Sequence, residues 1–162
     1  MKLYRCAAVS LLLIFMLSGL SAFAQKSKAS QYSCKEPNAE TLCTAANTCG
    51  SETTPCTVSV KKDGGGANVN PSTTDGKSNQ LFCVKVGTTI NYEAGRKNTG
   101  FVVDFGPKSP FDSDESIQGG SKKGDSAVAK NPGCYRFSAG ACVSGAINGM
   151  CGSRFAEMVV TK

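Results

Sequence analysis

The sequence predicts an all-β domain, a sandwich or barrel, with a disulfide-rich N-terminal segment. Three observations carry this expectation. Short runs with apolar residues at every second position recur from Thr57 to Val160, separated by turns rich in glycine, proline and asparagine. Once an N-terminal leader is set aside, eight cysteines remain, an even number that suits a disulfide framework on an exported chain. The stretch from Cys134 to Val160 reads as a strand, a cysteine-laced loop and a closing strand.

The leader is residues 1–24. Lys2 and Arg5 give it a basic start, Ala7 to Leu20 is uncharged and apolar, and Ser21-Ala22-Phe23-Ala24 supplies the small residues that a signal peptidase reads. Cleavage after Ala24 leaves Gln25 first and removes Cys6. The apolar run is too short to span a bilayer, no other stretch could, and no cysteine stands at the cut to carry a lipid. The expected location is secreted or periplasmic. Losing Lys2 and Arg5 from the 18 basic residues, against 12 acids, leaves a net charge of +4. The lysines are scattered along the chain and no aromatic interleaving accompanies them, so nucleic acid is not an expected partner.

Residues 25–56 read as a cysteine-rich cap preceded by a polar tail to Ser33. Asn38 could cap a short helix running from Ala39 to Asn47, with Glu40 at the positive end of its dipole and Gly50 closing it. So few large apolar residues occur here that bridges rather than burial must hold the segment.

The β domain is residues 57–162. Val58 and Val60 alternate with polar neighbours, as in a half-buried strand that stops at Asp63-Gly64-Gly65-Gly66. Ala67 to Asn79 has loop composition. Leu81 to Val86 is the strongest strand, with Phe82, Val84 and Val86 on one face. Thr88 to Tyr92 is β-prone, Ala94 to Gly100 turns, and Phe101, Val103 and Phe105 share a face of the next strand, which ends at Gly106-Pro107. Pro110 to Gly133 is a long irregular excursion with a basic tip at 119–124 and a short strand at Ala127 to Ala129. Tyr135 and Phe137 point one way, Ala139 to Gly152 is a loop of small residues, and Ala156, Met158 and Val160 line the last strand.

From Thr57 onward this order resembles a cupredoxin, the Greek-key sandwich of the plastocyanin kind. The matching pieces are the valine-rich strand, Gly87-Thr88-Thr89-Ile90-Asn91-Tyr92, the Phe101–Phe105 strand, Pro110-Phe111, Tyr135-Arg136-Phe137, and Gly149-Met150 before the final strand. In that family a histidine early in the Phe101–Phe105 strand, and a Cys, a His and usually a Met before the last strand, hold copper. Cys142 and Met150 match the family's Cys and Met, while the histidines would fall near Gly100 or Phe101 and at Gly145. The chain has no histidine. A blue-copper site therefore loses both nitrogen ligands, and a disulfide at Cys142 would remove the thiolate as well.

The residues argue against catalysis. The commonest general base is missing, Ser144 lies outside any Gly-x-Ser-x-Gly elbow, and Asp112 and Asp114 lie in a flexible polar run. That run, with Glu115, lacks the further ligands of a calcium loop. With no histidine and no Cys-x-x-Cys pair, zinc has no support. The expected disulfide cysteines are Cys34, Cys43, Cys49, Cys56, Cys83, Cys134, Cys142 and Cys151, and sequence leaves all 105 pairings open. The resulting expectation is a non-enzymatic, cofactor-free monomer that binds a protein or glycan through Lys108 to Lys130 and Ala139 to Ser153. One alternative is soft-copper handling by Cys142, Met150 and Cys151. Another is a disulfide-knotted inhibitor of an exported enzyme.

Overall fold

A computed structural model describes residues 33–96, 99–120, 123–143 and 151–162. The expected leader, its cleavage point and most of the polar tail lie outside them, as do Ser144, Gly145, Gly149 and Met150. Nine strands follow two short 3₁₀ turns at Ser33–Lys35 and Ala39–Leu42. They are β1 (Cys56–Asp63), β2 (Gly66–Pro71), β3 (Leu81–Lys85), β4 (Thr89–Ala94), β5 (Thr99–Asp104), β6 (Ile117–Gly119), β7 (Asp125–Val128), β8 (Gly133–Val143) and β9 (Gly152–Thr161). One sheet has the order β2-β1-β4-β7 and the other β3-β9-β8-β5-β6. Both are mixed, because β1 runs parallel to β4 and β3 parallel to β9.

The expected period of two explains the core. Val58 and Val60 of β1, Ile90 and Tyr92 of β4, Phe82 and Val84 of β3, and Phe137 and Met158 of β8 and β9 are fully buried between the sheets. Each such side chain contributes roughly 1.5–3 kcal/mol of burial free energy. Two segments first read as loops are strands. β2 takes up the first residues of Ala67–Asn79, and its alternation is carried by Ala67, Val69 and Pro71, which are buried between half-buried Asn68 and Asn70. β8 and β9 extend into Ala139–Gly152, where Ala139 and Ala141 are buried and Gly140 lies beneath Val102. Their small size fits them to the interior of the sheet rather than to a flexible loop.

The N-terminal segment covers the lower outer face of the second sheet. Ala39 packs on Cys83 and Val159, with Cys43, Leu81 and Cys134 around them. Residues 47–49 also pair with the edge of β3: Cys49 N–H donates to the Cys83 carbonyl at 2.8 Å, and Cys83 N–H donates to that of Asn47 at 2.9 Å. This satisfies an edge that would otherwise present open ladder groups.

The helix expected over Ala39–Asn47 is absent. Asn38 makes no side-chain cap, and its carbonyl instead accepts from the Thr41 N–H at 3.0 Å and from the Thr41 hydroxyl at 2.7 Å. Asn47 folds back to accept the Thr44 N–H at 2.7 Å and to donate to the Leu42 carbonyl at 3.0 Å. Bridges fix Cys34 and Cys43 onto the sheet, so the intervening residues follow its surface and complete only one turn. Gly50 closes no helix either. It sits at φ +68° in the tight loop between Cys49 and Cys56, where a Cβ would lie 2.7 Å from the Cys56 nitrogen.

Tyr92 is fully buried, and its hydroxyl has no hydrogen-bond partner among the described residues. Burial pushes its pKa well above the usual phenol value. A buried unsatisfied hydroxyl costs about 1–3 kcal/mol, so Tyr92→Phe should leave stability unchanged or raise it by about 1 kcal/mol. The same shift works against the fold in base. The phenol's contribution is fully present below pH ~10 and is lost as pH rises beyond it, because the unfolded chain ionises first. Urea titrations at neutral pH and above pH 10 check both effects: the variant should lose less stability in base, and a variant markedly less stable at neutral pH would contradict this account.

Candidate functional site

Strand register places the β1–β2 hairpin at Gly64-Gly65, the end of β4 with the start of β5, the end of β6 with the start of β7, and the end of β8 with the start of β9 at one end of the sandwich. We call this the turn end. The expected contact surface grouped Lys108–Lys130 with Ala139–Ser153, and the structure separates them. β6 runs toward the turn end and β7 runs back, so residues 105–116 and 129–132 belong to the opposite end and only the 119–124 tip joins Cys142 and Cys151.

The opposite end is closed by aromatic packing. Phe105 lies between Phe111, at 5.3 Å and 84°, and Phe137, at 4.6 Å and 32°, and Tyr135 meets it edge-on at 6.4 Å. The Tyr135 hydroxyl donates to the Asn131 carbonyl at 2.9 Å, and burial raises its pKa. Asn131 Nδ2 reaches the Phe111 carbonyl at 3.2 Å, and Asp112 pairs with Lys130. Asp112 is thus part of a surface ion pair, and no metal cluster of three or more His, Cys, Asp or Glu side chains forms among the described residues.

The turn end has a different chemistry. β5 and β8 place Gly100 directly opposite Cys142, the positions where the cupredoxin resemblance locates the upstream histidine and the ligand thiolate. The Cys142 sulfur is bonded to Cys151, with 4.4 Å between the two Cα atoms. Phe101, the other candidate histidine position, turns into the core and is 5% exposed. Gly152, one residue past the bridge, meets the Gly65 and Gly66 backbone so closely that a Cβ would overlap it. Arg154 then lies over Gly66 and reaches Asn68 Oδ1 at 3.4 Å and Asp63 Oδ2 at 3.5 Å. These contacts brace the β1–β2 hairpin against the start of β9.

Basic side chains collect around these turns. Lys61 and Lys62 end β1, Arg96 follows β4, Lys123 follows β6, and Arg154 begins β9. The Lys61 stem packs on Gly95, and Lys62 Nζ donates to the Gly64 carbonyl at 2.6 Å. Three of these connections contain Gly64 and Gly65, Gly95, and Gly120 and Gly124. Sequence reading judged the lysines scattered, and along the chain they are. A usable signal was present nonetheless, since each dibasic pair (61–62, 96–97 and 122–123) lies within two residues of a glycine turn.

Next to the turn end, no described residue covers the outer face of the second sheet above the N-terminal segment. Phe155 is 59% exposed there, with the Arg136 guanidinium 4.1 Å above its ring, and Val102 and Val143 are partly exposed nearby. Phe155 carries no signal in the sequence, because it falls on the solvent side of a strand whose other face is the core.

All eight expected cysteines are in bridges: Cys34–Cys134, Cys43–Cys83, Cys49–Cys56 and Cys142–Cys151. Of the four cysteines in the Cys34–Cys56 segment, only Cys49 and Cys56 pair with each other; the other two fasten it to β3 and β8. Four disulfides suit an oxidising compartment, and no helix among the described residues is long and apolar enough to cross a membrane. A recess of ≈ 460 Å³ between the N-terminal segment and β8–β9 is lined by Pro37, Ala39, Gly133, Cys134 and Val159 among others. Glu36, Glu40 and Thr41 also line it, and the Thr41 hydroxyl donates to the Asn38 carbonyl at 2.7 Å. No protein-family model matches the chain, and no curated protein matches it as a relative.

Proposed function

We propose that this protein is an exported, copper-free cupredoxin-like module that binds a protein or glycan ligand and performs no catalysis. The observation that carries this reading is the Cys142–Cys151 bridge facing Gly100. At the corner where the family holds copper, one position lacks a side chain and the thiolate is consumed in a covalent bond. A blue-copper site needs imidazole nitrogens and a thiolate, and this corner offers neither while the bridge is intact. The repeated crossing of the chain between sheets, which leaves β1 beside β4 and β3 beside β9, supports a Greek-key connectivity. The bare surface next to that corner, with the Arg136-stacked Phe155, is where a ligand would seat, because an exposed aromatic on a rigid sheet is a ready contact.

The soft-copper alternative requires Cys142 and Cys151 to be reduced first. Copper addition to protein purified without reductant separates the two readings. Cu(II) should produce no intense visible band, and a competing chelator should keep its Cu(I). A strong blue band, or stoichiometric removal of Cu(I) from the chelator, would contradict the copper-free reading.

A further inference from the structure

We infer that the turn end is a docking surface for an acidic polysaccharide. The inference rests on the binding-module reading and names the chemical class of its ligand. Lys61, Lys62, Arg96, Lys123 and Arg154 converge on one end of the sandwich from strands that lie far apart in sequence. The acids of this end are fewer: Asp63 is engaged by Arg154, and Glu93 and Asp125 complete the set. The opposite end carries Asp104, Asp112, Asp114 and Glu115, which offset its lysines. The molecule is therefore electrostatically polarised, with its excess positive charge at the turns.

Among the described residues at these tips, glycine, lysine and arginine stand beside the Cys142–Cys151 bridge, and Val143 at the end of β8 is the exposed apolar side chain. Such a low, cationic relief suits an extended chain of carboxylate or sulfate groups, each meeting a lysine or arginine without needing a pocket. A membrane would call for apolar side chains at the tips, and single-stranded nucleic acid would call for aromatics interleaved among the cations. Phe155 lies three residues beyond the start of β9, close enough for a sugar ring to stack while its acidic neighbours meet the turns.

Dextran sulfate is the probe, with neutral dextran, phosphatidylglycerol vesicles and duplex DNA as comparisons. The wild type should bind dextran sulfate and not neutral dextran, and its affinity should fall at least about tenfold between ~50 and ~200 mM salt. The variant Lys61→Ser/Lys62→Ser/Arg96→Ser/Lys123→Ser should weaken binding at least about tenfold. A control of equal charge, Lys77→Ser/Lys85→Ser/Lys108→Ser/Lys162→Ser, should bind like the wild type. Equal losses in the two variants, salt-independent binding, no binding at all, or tighter binding to vesicles or DNA would overturn the inference. Failure here with the copper experiment upheld removes only the acidic ligand, whereas copper loading removes the reading beneath it.

Discussion

Replacing Phe137 by alanine should lower the unfolding free energy by about 3–5 kcal/mol. Phe137 is 1% exposed and belongs to β8, the strand between β9 and β5. Its ring meets Phe82 edge-on at 6.4 Å and tilts against Phe105 at 4.6 Å, so it joins the sandwich core to the aromatic closure of the end opposite the turns. Its register partner on β9 is Ala156, too small to fill the space it would leave. β8 is held at Cys134 and Cys142, which limits how far the sheet can relax into a cavity. Most of the lost transfer free energy should therefore appear in the measurement. Urea unfolding should show a lower midpoint with an unchanged slope, and a loss below about 1 kcal/mol would mean that this side chain is not the keystone described.

The second large effect is expected from Cys34 and Cys134. Their bridge spans 100 residues of chain, whereas Cys142–Cys151 spans 9. The chain-entropy argument gives about 4–5 kcal/mol for a loop near one hundred residues and roughly 2–3 for one near ten. Cys43–Cys83 lies inside the longer loop and shortens the free path, which moves the first figure to about 4 kcal/mol. Cys34→Ala/Cys134→Ala should also loosen residues 33–42, whose contacts include Ala39 on Val159 and a 3.5 Å hydrogen bond from Cys34 N–H to Glu157. Guanidinium unfolding of the two double-alanine variants tests the ordering. A Cys142–Cys151 knockout that proves the more damaging of the pair would contradict the clamp assigned to the N-terminal segment.

Much of the β architecture was legible because a strand with one wet face has to alternate. Thr57–Lys61, Leu81–Val86, Phe101–Phe105 and Ala156–Val160 each do so with large apolar residues. β2 and the inner ends of β8 and β9 were hidden because their inward positions are Ala67, Val69, Pro71, Ala139 and Ala141, which signal a turn as readily as a core. Propensity suggested a helix after Asn38, but the bridges at Cys34 and Cys43 outweigh it. Cysteine pairing is a property of distance between chain segments, and spacing carries no record of it. The turn end was out of reach for the same reason: Lys62 and Arg154 both reach Gly64–Gly66 only once β1, β2 and β9 are assembled.

Four bridges clamp a two-sheet shell, and one of them joins the end of β8 to the start of β9. Peptide mapping by mass spectrometry, on protein alkylated and digested without reduction, tests this arrangement most directly. The result expected is four linked pairs, Cys34–Cys134, Cys43–Cys83, Cys49–Cys56 and Cys142–Cys151, with no alkylated cysteine among the eight. An alkylated Cys142, or Cys142 linked to any cysteine other than Cys151, would contradict the account.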